Sequence, residues 1–301
     1  MTAQEETSIT SGQTRQYKRF VEDIARHGAE LALKKVEADS EGWQRVLERG
    51  DELKVAVAET IVAKTCEFSL TNQFADEEVE SSYGYLSGYQ PKPIAEQVKR
   101  LRELFPELGS VDESIAEQEL PQNTEGWFAI PRWEKIAPTY GEAVQKVLDL
   151  IKQTRDGKFH NYRGGQLGEA YLRQSAKTTK ALQALGEQQS DHDILVMSAQ
   201  FGLHYRGKSV RRAREVMNAS EFGLGAFEIG VMLLTHLERL QHLDDLWIDC
   251  AGDEFAPHAD GGFCRAPCFG FHDGKVEFGT GDVGDADGDC GSASAFSPQQ
   301  S

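Results

Sequence analysis

The sequence lacks what would place it in a membrane or in a disulfide-bonded framework. Its longest nearly apolar run, Phe222 to Leu234, is interrupted by Glu228 and is too short to span a bilayer. The stretch Met1 to Thr14 has neither the cationic start nor the apolar core of a signal peptide. Five cysteines, Cys66, Cys250, Cys264, Cys268 and Cys290, are an odd number in a long chain, which argues against a secreted disulfide scaffold and for reduced thiols. The expectation is a cytoplasmic protein with no membrane partner. The motifs that announce common chemistries are missing too. There is no Gly-x-x-x-x-Gly-Lys-Ser phosphate loop, no Gly-x-Gly-x-x-Gly after a strand, no His-Glu-x-x-His and no Gly-x-Ser-x-Gly.

Positive charge is scarce as well. The 301 residues hold 32 Lys and Arg against 49 Asp and Glu, a net charge of -17. Residues 1–120 carry 14 basic and 24 acidic side chains, residues 121–275 carry 18 and 20, and residues 276–301 carry five acids and no base. Nucleic acid and anionic membranes repel the acidic N-terminal part, so contact with a polyanion would be local to the central region.

With 39% hydrophobic and 27% charged residues, the composition is that of a folded globular chain. Tyr17, Phe20, Val21, Ile24, Gly28 and Leu31 recur at helical spacing, and Trp43, Val46, Leu47, Leu53, Val57 and Ile61 form a second stripe that Ser40 can cap. Tyr83, Tyr85 and Tyr89 lie in a Gly- and Pro-rich loop and read as rings that seal it onto a core. Pro93 opens a helix striped by Ile94, Val98, Leu101 and Phe105. Further on, Thr139 to Glu142 is a capping box, Ile194 to Ala199 and Leu246 to Asp249 read as buried strands, and Asp273-Gly274 is a hairpin turn. A helix after Gly164-Gly165 is expected to stop at Gly186. The fold class is α+β, a helical N-terminal region followed by a mixed helix and strand domain; a small doubly wound α/β sheet is the alternative. The expected organisation is a helical domain over 1–105, a linker over 106–125, an α+β domain over 126–278 and a flexible, acidic, Gly-rich tail over 279–301.

Against the acidic background, Tyr205 to Arg214 is a basic island. Arg206, Lys208, Arg211, Arg212 and Arg214 stand there with no acid among them. Ser209 can cap a helix, which would set backbone N–H groups beside Arg206 and Lys208 and favour a phosphate. The competing reading is that the island pairs with the protein's own carboxylates. A few residues on the sign reverses. Asp249, Asp253 and Glu254 follow a strand end and could hold a divalent metal through oxygen, although Asp, Gly and Glu are also ordinary turn residues. His258, Cys264, Cys268 and His272, near Cys250, are zinc-type ligands with too wide a cysteine spacing. Asp285-x-Asp287-x-Asp289 imitates a calcium loop but has Cys290 where glycine belongs and Phe296 where the bidentate glutamate belongs.

Three segments, Trp127-Phe-Ala-Ile-Pro-Arg-Trp133, Phe201 to Met217 and Leu246-Trp-Ile-Asp-Cys-Ala-Gly-Asp-Glu254, resemble a family of predicted bacterial proteins with no assigned activity. The resemblance covers most of residues 70–280; it implies a shared fold and carries over no catalytic residue. The leading functional expectation is a non-catalytic binding protein that recognises an anionic partner, such as nucleic acid or another phosphate ligand, through the basic island, with no cofactor. One alternative is a metal-dependent phosphoester hydrolase using Asp249, Asp253 and Glu254. The other is a structural module whose helical N-terminal half pairs with another protein chain.

Overall fold

The computed structural model describes residues 10–69 and 71–296, excepting the side chains of residues 63, 66 and 67. The chain divides into two compact units, residues 1–69 and 70–301.

The first unit is helical: α1 (Ser11–Lys35), α2 (Ser40–Glu48) and α3 (Gly50–Ser69). Thr10 starts α1 through a reciprocal capping box with Gln13, satisfying two of the amides a helix start leaves unpaired. Asp39, one residue before the expected Ser40, caps α2 by accepting from the Gly42 amide at 2.7 Å. The chain breaks at Arg49 before α3 begins, so the second expected helix is two. Tyr17 Oη and Thr65 Oγ1 share a hydrogen bond of 2.5 Å, which sets the start of α1 beside the end of α3. None of the described residues of α1 and α2 is buried.

The second unit runs in order through α4 (Ile94–Leu104), β1 (Gly126–Pro131), α5 (Tyr140–Thr154), β2 (Phe159–Asn161), β3 (Leu172–Gln174), α6 (Ala176–Gln188) and β4 (Ile194–Gln200). It continues through α7 (Val210–Val216), β5 (Glu221–Gly223), α8 (Ala226–Thr235), β6 (Trp247–Asp249) and β7 (Asp253–Phe255). It ends with β8 (Arg265–His272), β9 (Lys275–Asp282), β10 (Cys290–Ser292) and β11 (Ser294–Phe296). One sheet has the order β1-β4-β11-β5, and a second has β10-β6-β8-β7-β3 with β9 between β8 and β2. Pairing is antiparallel throughout except β10 on β6 and β2 on β9. This is an α+β fold, and the antiparallel ladders leave no doubly wound sheet.

Helix α8 organises the core. All ten of its residues are buried, and it packs against α4, α5 and β1. A helix apolar on every side has to be enclosed on every side. The hairpin at Asp273-Gly274 forms as expected, with φ of 48° and 73° as a type I′ turn requires. Gly186 does not stop its helix; α6 starts later than expected, on a Ser175 cap, and runs through Gly186 to Gln188. Residues 106–125 lie inside the second unit, tied to it by the Val111↔Ile194 bridge and by the amides of Asp193 and Ile194 on the Ser110 carbonyl. The stretch expected as a flexible tail carries half of β9 and all of β10 and β11, and Ala293 and Ala295 are fully buried. Small residues suit a strand squeezed between neighbours, whereas composition alone registers Gly, Asp and Ser as loop. Among the described residues no helix is long and apolar enough to cross a membrane.

Candidate functional site

The basic island folds as a short 3-10 turn followed by α7, capped as expected by Ser209, whose Oγ accepts from the Arg212 amide at 3.1 Å. Residues 71–79 lie across it. The Val79 amide donates to the Gly207 carbonyl at 2.7 Å and the Ser209 amide to the Glu77 carbonyl at 3.1 Å. Gly207 has a φ of 74°, and a Cβ there would strike the Val79 carbonyl oxygen, so the close approach needs glycine.

Each cation of the island has an internal partner. Arg211 Nε donates to both oxygens of Glu77 at 2.8 and 2.7 Å, and its guanidinium lies 4.6 Å from the Phe74 ring centroid. Glu78 takes Lys208 and Arg212, each at 2.5 Å. Glu215 takes Arg212 at 2.9 Å, the Gln73 amide at 2.6 Å and the Thr71 hydroxyl. The Thr71 hydrogen bond, then Arg212 and the two strap amides, push the Glu215 carboxyl down to about 2. Arg211 likewise holds Glu77 low. Burial would raise Glu78, but hydrogen bonds from Lys208 and Arg212 outweigh it and leave the carboxyl lowered. Arg214 donates to the carbonyls of Ala251 and Asp253 at 2.8 and 2.6 Å, and Arg206 to the Tyr83 carbonyl at 2.9 Å. The acids that neutralise the island lie more than a hundred residues upstream, apart from Glu215.

Asp249, Asp253 and Glu254 do not converge. Asp253 is fully buried and caps α8, accepting from Tyr140 Oη at 2.8 Å and from the Ala226 amide at 2.7 Å. Glu254, its neighbour on β7, pairs with Arg173 at 2.8 Å, because alternate residues of a strand face opposite ways. Asp249 alone borders a cavity. His258, Cys264 and His272 are exposed while Cys250 is buried; among the described residues no three Asp, Glu, His or Cys side chains are grouped to hold a metal ion. Cys66 lies outside the described side chains.

The cavity that Asp249 borders is about 260 Å³ and is walled by Trp247, Cys268 and Cys290 and by Asp285, Asp287 and Asp289 from the stretch read as tail. Sheet register assembles it. Asp249 on β6 stands opposite Cys268 on β8 and level with Ser292 on β10, while Cys290 is level with Trp247. Asp249 keeps a little contact with the cavity, yet it is sunk deeply enough that burial, then the charges of Asp287 and Asp289, push its carboxyl up to about 7. Its carbonyl accepts from the Ala293 amide at 3.1 Å, but among the described residues its carboxylate accepts no hydrogen bond. Burial also raises Cys268, to about 12, and Cys290 further still. Thr280 Oγ1 on the cavity wall and Ser292 Oγ beside Asp249 are sealed from solvent without a partner among the described residues. A larger, more open groove of about 640 Å³ passes Lys92, Glu125 and Trp127, and there Lys92 is already paired with Glu238 at 3.0 Å.

The sequence pointed to Asp249, and it singled out Asp285, Asp287 and Asp289 only as a failed calcium loop, because their nearness to Asp249 depends on the pairing of β10 with β6. No family model, no curated protein and no solved structure matches the chain.

Proposed function

We propose that the protein is a non-catalytic binding protein whose second unit takes a small organic cation, of the alkylammonium or guanidinium class, in the acidic cavity. The observation that carries this reading is Asp249, a carboxylate without a hydrogen-bond donor whose ionisation burial and the charges of Asp287 and Asp289 resist. Carboxylates gathered at one small space repel each other, and a cation among them turns that repulsion into attraction. Trp247 on the wall adds an aromatic face, which favours a cation with its charge spread over an organic group. Phosphate capture by the basic island would first have to displace Glu77, Glu78 and Glu215 from the arginines and lysine they hold.

Calorimetric titration at low salt with a monoamine, a diamine and a guanidinium compound, alongside Mg²⁺, Ca²⁺ and Zn²⁺, tests this. An organic cation binds the unaltered protein, and Asp249→Asn weakens it roughly tenfold to a hundredfold, the worth of one charge-assisted hydrogen bond. Binding tightens as pH rises from 6 to 8, because the cation requires the ionised form of a carboxyl that titrates near 7. No binding by any organic cation, or binding untouched by both Asp249→Asn and Asp287→Asn, overturns the proposal. Metal binding through these carboxylates without organic-cation binding replaces it with a metal site.

A further inference from the structure

Among the described residues of the first unit, the helices bury no core. Thirteen large apolar side chains of residues 10–69 are exposed, Phe20 at 62% and Phe68 at 80% among them. Part of them is ordered: Tyr17, Phe20, Ile24 and Leu31 share one stripe of α1, and Leu53, Val57 and Phe68 one face of α3, whose opposite face carries Val55 and Val62. Such seams are the sequence of a helix that buries a stripe against other helices. The pairing of α1 with α3, marked by Tyr17 and Thr65, half-covers only Val21, Ile61 and a few small neighbours. A two-helix hairpin leaves one side of each seam to solvent, and isolated helical pairs of this size have too little buried surface to hold together.

We infer that two copies of the chain join through this unit, their α1–α3 hairpins closing into a four-helix bundle. Three observations favour a second copy over a different partner. The charges are self-complementary: α1 carries six basic and three acidic residues, and α3 two basic and four acidic. A two-fold interface needs such a surface, because what one protomer offers the other must answer. The area is also sufficient. At roughly 100 Å² apiece, the seven side chains on these stripes supply ~700 Å² of apolar surface, close to the ~800 Å² per partner of a standard interface. Finally, each hairpin contributes two antiparallel helices with seams of matching length, and two such hairpins make the simplest closed bundle.

Sedimentation equilibrium of the full chain over a wide concentration range decides the matter. The expected result is a mass twice that of the chain, moving toward one chain on dilution. The double substitution Ile24→Asp with Leu31→Asp shifts the species to a single chain, and the conservative pair Ile24→Val with Leu31→Met keeps the dimer. The mass of the unaltered protein stands whatever the variants do to the helices. A single-chain mass up to about 100 μM, roughly −5.4 kcal/mol in standard binding free energy, overturns the inference. So does a stable assembly of more than two copies, or a dimer unmoved by the double aspartate substitution.

Discussion

Glu228 sits at the first turn of the most buried helix in the protein, with the Gly225 amide on one carboxyl oxygen at 3.0 Å and Gln174 on the other at 3.2 Å. Burial nonetheless pushes its carboxyl up to about 7. A carboxyl raised on folding holds its proton in the native state while the unfolded chain has released it, so stability falls as pH rises from about 4.5 to 7. His236 acts in the other direction. Burial lowers it to about 4, so stability is lost as pH falls from about 6.5 toward 4. We expect the urea midpoint to fall as pH rises from about 6.5 to 7.5, above the range in which His236 opposes Glu228, by the equivalent of less than ~1 kcal/mol, and to stay level beyond it. Glu228→Gln should flatten that fall; a variant with the same slope as the unaltered protein would remove Glu228 as its cause. At this scale the sequence spoke unevenly. Asp249 was recognisable because a strand end is a recognisable place for a ligand. The separation of Asp253 from Glu254 was not, because it depends on which face of β7 looks inward.

Segment 71–79 and α7 show how a local reading of charge goes astray. Five cations in ten residues look like an open site when only neighbours in sequence are considered, but the compensating Glu77 and Glu78 arrive through a long loop closure. The expected capping of α7 by Ser209 formed nevertheless, since a cap is a contact three residues long. Glu215→Gln should free the strap, because the carboxylate accepts from Thr71, Gln73, Phe74 and Arg212 together. Hydrogen exchange at the amides of Gln73 and Phe74 should speed up while that of β4 stays slow; unchanged exchange at both would mean that Glu77 and Glu78 hold the strap alone. A second element, the β8–β9 hairpin, supports the cavity wall. Gly270 lies against the Trp247 indole so closely that any Cβ would overlap the ring. Gly270→Ala should therefore displace Trp247 and destabilise the unit by ~1–3 kcal/mol, read as a lowered melting temperature with weakened binding of the organic cation. Retention of both would show that the indole can move aside freely.

Across the whole molecule, the α+β class and most helices and central strands were legible, because their hydrophobic periods are local. The division of the chain was not. Residues 106–125 are polar in sequence yet tied into the second unit, and the division falls at residue 69 instead. The last strands escaped notice for a related reason. β11 has its place from β4 on one side and β5 on the other, and three small or aromatic residues have too short a pattern to reveal it. We expect a chain ending at Gly288 to lose the cooperative melting of the second unit, while a chain ending at Phe296 keeps it; a cooperative transition in the shorter chain would show that β4 and β5 need no strand between them. The same insertion orders events during synthesis. β4 leaves the ribosome about a hundred residues before β11 exists, so its long-range partner comes late. Until residue 296 is free, the nascent chain presents an open, strongly apolar strand edge to whatever surrounds it. The second unit can finish its fold only after translation has passed that point, and in the interval it should be a client for chaperones that bind exposed strands.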